Sequence, residues 1–122
     1  MSLELFDDPC SHEADDLALQ AELLERRGEH AGARELYRRA AALEEALAHE
    51  TPVSSPRLRG VLVISAVSLW SAAGALPTAI NLADEFLTGH VLSASERTSL
   101  AKLAEELRIR AVQEHHHVFQ PR

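Results

Sequence analysis

The chain has 122 residues, the size of one domain, and leaves no room for a second sizeable core. Apolar residues make up 46% of it, but Ala and Leu dominate and aromatics reach only 4%, a mixture that suits close-packed helices and not sandwiches of strands. A formal charge of -7 removes the basic field on which sequence-independent nucleic-acid binding depends, so no nucleic-acid partner is expected.

Charge is spread unevenly along the chain. Residues 1–25 hold eight acids and no Lys or Arg, whereas 26–59 hold seven bases against five acids. Cys10 is the single cysteine, so no internal disulfide forms, and the opening MSLELFDDP lacks the basic region and long apolar core of a signal peptide. A reducing cytoplasm is the expected address. After a tail at 1–10, the spacing of Leu17, Ala21 and Leu24 predicts a helix from Ser11 to Arg27 with an acidic opposite face, and Gly28 supplies its stop. A second helix is predicted from His30 to His49, with Leu36, Ala40, Leu43 and Leu47 on one stripe and the Arg and Glu pairs turned elsewhere. The very short turn between them makes 11–49 an antiparallel hairpin.

Residues 50–55 form a linker, because Pro52, the small polar residues and the following Pro56 deny it regular structure. Ser55 and Pro56 make an N-cap and first-turn pair for a third helix reaching Ala73. That helix is apolar nearly all round and should be covered on more than one side. Gly60 to Ala83 contains no charged residue, and about 20 apolar residues can span a bilayer. Ser65, Ser68, Ser71, Thr78 and Asn81 lie within it, however, and Gly74-Ala75-Leu76-Pro77 breaks it near the middle, so a buried hairpin over 56–88 is expected and not a membrane span. The fourth helix runs from Pro77 to Leu87. Gly89 and then Ser93-Ala94-Ser95-Glu96 give a stop and a capping box before a fifth, Ala94 to Gln113, with Leu100, Leu103, Leu107 and Ala111 on one face. Residues 114–122 read as a frayed tail.

Shifted by 46 residues, the two hairpins align: Leu24 falls on Trp70, Gly28 on Gly74 and Ala33 on Ala79. Small residues at helix crossings with larger apolar residues between them are the packing signature of stacked helix pairs. Leu17 followed by ALQAELLERRGEHAGARELYRRA, with Ala21, Leu24, Gly28, Ala33, Tyr37 and Ala40, resembles the tetratricopeptide-repeat family. VISAVSLWSAAGALPTAINLADEF resembles it again through Trp70, Gly74, Ala79 and Ala83. The second unit displaces the later aromatic, both lack the motif's final proline, and the offset exceeds the family period of about 34 residues. The resemblance covers 14–93, with 93–113 as a terminal capping helix. It implies an all-α, TPR-like α-solenoid fragment: two helical hairpins plus a C-terminal capping helix in one domain, 11–113. Two units and a cap are short for an independent array, so self-association or a firm partner is expected.

In such families the first helix of each pair lines a concave groove. The resemblance therefore points Asp15, Ala18, Glu22 and Glu25 inward, joined by Ile64, Ser68 and Ser71, to receive a basic or amphipathic segment of another protein. The plainer alternative makes the carboxylates a solvated face. The family's basic clamp for C-terminal carboxylates is absent from these positions. Leu17, Ala21, Leu24, Gly28, Ala33, Tyr37, Ala40, Trp70, Gly74, Ala79 and Ala83 are the expected structural core, although a lone Trp can also anchor an interface. His115-His116-His117 cannot converge on one ion along a helix that turns about 100° per residue, so no metal or other cofactor is expected. His12-Glu13 and Asp15-Asp16 have no nucleophile, phosphate loop or orienting group around them, so no catalytic residue is assigned and the chain reads as a non-enzyme. The expected function is a protein-binding adaptor, or a regulatory or inhibitory subunit, in a bacterial-style cytoplasmic complex. The rival is a transcriptional regulator, since LSASERTSLAKLAEELRIR resembles the opening helix of some helix-turn-helix domains, which would need a second helix after a short turn.

Overall fold

Five α-helices follow one another in the computed structural model, which describes residues 9–119 apart from Val53 and His90. They are α1 (Pro9–Arg26), α2 (His30–Glu50), α3 (Pro56–Ala72), α4 (Leu76–Thr88) and α5 (Ala94–Phe119). No strand occurs among the described residues. Each helix packs on the next, and α3 also packs on α5.

Alanine decides how closely these helices approach. Ala14 and Ala21 on α1 and Ala33, Ala40, Ala41 and Ala48 on α2 are buried, and a methyl side chain lets helix axes close in without a gap to fill. Ala14, Leu17 and Ala40 form a small cluster, flanked by Leu36, Leu43 and Leu69. The larger core gathers Val63, Ala66 and Val67 of α3 with Leu76, Ala79, Leu82, Ala83 and Phe86 of α4 and Leu100, Ala104 and Leu107 of α5. Leu69 of α3 reaches the first cluster and Trp70 the second, so α3 lies between them as its all-round apolar sequence requires.

The turns after α1 and α3 are built alike. Gly28 N–H donates to Glu25 O and Glu29 N–H to Leu24 O at 3.0 and 2.9 Å. Gly74 N–H donates to Ser71 O and Ala75 N–H to Trp70 O, both at 3.0 Å. These are paired Schellman bonds, and Gly28 and Gly74 adopt φ of 79° and 81°, which glycine alone reaches without strain. Both glycines are solvent-exposed, so they are not core residues as the alignment suggested; their role is backbone conformation at the turn. Of the other expected core residues, Leu17, Ala21, Ala33, Ala40, Ala79 and Ala83 are buried, while Leu24, Tyr37 and Trp70 are half-buried.

Several local expectations need correction. α5 continues through Phe119, well past Gln113, because no Gly or Pro lies between Gln113 and Phe119 to interrupt it. The capping box does not form: Ser93 Oγ and Glu96 Oε1 are buried without hydrogen-bond partners. Glu96 is instead packed over Gly60, where any added Cβ would collide with its Cβ and Cγ. Ser55 occupies the N-cap of α3 with Pro56 behind it but makes no side-chain capping bond. Glu44 is not turned outward with the other charges and is 5% exposed, because it continues the Ala40–Ala48 stripe. Among the described residues no helix is long and apolar enough to cross a membrane.

Candidate functional site

The expected groove begins on α1. Its core stripe of Ala14, Leu17 and Ala21 faces α2, which leaves Asp15 and Glu22 exposed and Ala18 and Glu25 half-buried along its flank. Glu25 Oε2 lies 3.3 Å from His30 Nδ1 across the turn. No Lys or Arg among the described residues forms an ion pair with Asp15, Glu22 or Glu25. Their field reaches the neighbouring helix: the Tyr37 hydroxyl is held above its ordinary pKa by burial first, then by the charges of Glu22 and Glu25.

On α3, Ile64 packs against the larger core, Ser68 is exposed, and Ser71 Oγ accepts a hydrogen bond of 2.8 Å from Arg110 Nη1 on α5. The structure thus brings the three α1 carboxylates onto one face. α1 makes little contact with α3; Leu69, packed against the cluster of Ala14, Leu17 and Ala40, joins the two helices' surroundings.

Several polar arrangements went unforeseen. Glu44 Oε1 accepts from Ser65 Oγ at 3.3 Å, while Oε2 is buried and unpartnered. Burial raises the Glu44 pKa above its ordinary value and the Asp15 charge adds to this, against the lowering effect of Ser65. The signal was present in sequence, since Glu44 stands four residues from both Ala40 and Ala48. Second, Trp70 Nε1 donates to Glu45 Oε1. Third, His49 Nε2 lies 2.8 Å from Glu85 Oε2 and its ring rests 5.2 Å from that of Phe86, tying α2 to α4. Glu45, Thr78, Asn81, Leu82 and Glu85 line a shallow cleft of about 190 Å³ beside it. Fourth, Arg108 pairs with Asp84, and Arg59 donates to Thr51 O under the linker. Partners so distant in sequence leave no periodic trace.

Among the described residues no group of three or more His, Cys, Asp or Glu is placed to hold a metal. His115 to His117 lie on helical backbone, outside the residues whose side chains are described. α5 passes unbroken through the point where a helix-turn-helix reading places its turn. No family model matches the chain, and no curated protein or solved structure matches it.

Proposed function

We propose that the chain is a non-enzymatic protein-binding module of tetratricopeptide-repeat type, two helical hairpins and a capping helix, serving as adaptor or as regulatory or inhibitory subunit of a cytoplasmic complex. A partner segment bearing Lys or Arg lies along the α1 face of Asp15, Ala18, Glu22 and Glu25, with Ile64, Ser68 and Ser71 of α3 on the far side. Occupancy of the partner's surface is the whole mechanism. The observation that supports this reading is the negative field of Asp15, Glu22 and Glu25 along one flank of α1, where no Lys or Arg among the described residues is ion-paired to them. Such a field steers a basic partner to encounter, and small residues beside it permit close approach. The repeat reading is supported by the two identically bonded turns at Gly28 and Gly74.

The test is affinity capture from the native host with the tagged chain and with its Glu22→Lys/Glu25→Lys variant, at low and high salt. A stoichiometric protein retained at low salt by the parent and lost by the variant, with helicity unchanged, supports the reading. Equal retention by both forms overturns it.

A further inference from the structure

The two outermost helices each carry a second apolar stripe, opposite the one they bury. On α1, Leu19 and Leu23 are 57% and 43% exposed while Ala14, Leu17 and Ala21 face inward. On α5, Ile109 and Val112 are 51% and 68% exposed while Leu100, Ala104 and Leu107 face inward. Glu105, Arg108 and Gln113 join them around a shallow, mainly apolar depression. α1 packs chiefly on α2, and α5 on α3 and α4, so these stripes stand at the two ends of the helical succession. Stacked helical arrays stay apart when their end helices present polar outer faces, and both end helices here interrupt that polar surface with exposed apolar side chains.

We propose that the chain associates head to tail, the α1 stripe of one copy lying antiparallel on the α5 stripe of the next. The occupant is a second copy because the two stripes complement each other in spacing and in charge. Leu19, Leu23 and Arg26 on α1 and Val112, Ile109 and Glu105 on α5 recur at three and four residues, the rhythm of antiparallel helix pairs. Laid antiparallel, Leu19 meets Val112, Leu23 meets Ile109, and Arg26 meets Glu105. No layer sets like charges together. Pairing α1 with its own copy would oppose two helices that each hold five acids against one Arg, whereas α5 holds four acids and four Lys or Arg. The contact is heterologous, so it does not close on itself and builds chains whose length grows with concentration. It borders the acidic flank of α1, since Leu19 stands four residues from Asp15 and Arg26 four from Glu22, but self-association of the chain alone is read separately from capture of a basic partner.

Sedimentation of the full chain across micromolar to millimolar concentration tests this, with two variants that each block one end: Leu19→Glu/Leu23→Glu and Ile109→Glu/Val112→Glu. The parent is expected to pass beyond dimer mass as concentration rises, each variant alone to remain at monomer mass, and their equimolar mixture to reach twice that mass, since each keeps one working end. A parent that stays monomeric, a blocked variant that still self-associates, or a mixture that stays monomeric overturns the proposal. A pair of exposed charge substitutions guards against misfolding as the cause: Arg26→Glu alone should weaken association, and adding Glu105→Arg in the same chain should restore it. Failure of that restoration, with helicity intact, counts equally against the contact.

Discussion

The indole Nε1 of Trp70 donates to Glu45 Oε1 at 2.8 Å, a bond across 25 residues of chain that fixes α3 against α2. Both side chains are half-buried, so water competes weakly for the carboxylate. Trp70→Phe keeps most of the apolar contact and removes the donor. The expected loss is about 2 kcal/mol, as for hydrogen bonds to charged groups, read from urea unfolding. An unchanged midpoint would show that the bond contributes nothing.

Glu44 should make the protein less stable as pH rises. Its folded-state pKa lies above the unfolded value of 4.5, so the folded chain holds the proton more tightly. Stability therefore falls as pH climbs from 4.5 through the raised value, then levels off. Glu44→Gln keeps an acceptor for Ser65 and removes the buried charge. The variant should gain about 1 kcal/mol at neutral pH and lose that advantage below pH 4.5, where both forms are uncharged. Equal pH profiles for the two proteins would refute this.

His49 titrates above its ordinary value of 6.5, chiefly through its hydrogen bond to Glu85, with burial opposing. The stability it contributes is complete below pH 6.5 and lost as pH rises through the raised value. Solvent reaches both partners, so the contribution is only about 0.5 kcal/mol. The sharper readout is the imidazole titration by NMR: Glu85→Gln should move the His49 pKa down toward 6.5.

Gly60 lies buried where α3 passes the first turn of α5, with the Cβ and Cγ of Glu96 occupying the space a side chain would need. Gly60→Ala ordinarily strengthens a helix, but here it forces two backbones apart. A net loss of about 2 kcal/mol is expected in thermal unfolding. A gain would mean that Glu96 swings aside freely.

Helix positions were legible because each is marked locally: Leu17, Ala21 and Leu24 repeat at helical spacing, Gly28 and Gly74 punctuate, and Pro56 opens α3. The expected end of α5 fell short because Gln113, Glu114 and the three His that follow suggest an end, whereas no Gly or Pro there breaks the backbone and helix continues through Phe119. Ser93 and Glu96 match the capping pattern in spacing, yet the crossing at Gly60 claims Glu96 for packing. The α1 carboxylates were readable as a face from their period. Their relation to α3 was not, since relative helix placement rests on packing such as that of Leu69 against the cluster of Ala14, Leu17 and Ala40, which leaves no spacing signal.

The uncharged run from Gly60 to Ala83 spans most of α3 and α4, with α2 and α5 packed against it. Before those neighbours dock, nothing in the run itself repels another copy, and short apolar stretches without charge are the segments that aggregate during folding. Solubility of the nascent chain therefore resides in its flanks: the acids of α1 and the mixed charges of α2 and α5 act as gatekeepers for a centre that has none. A fragment trimmed to α3 and α4 should precipitate, and expression of the intact chain should depend on how early α2 reaches its place.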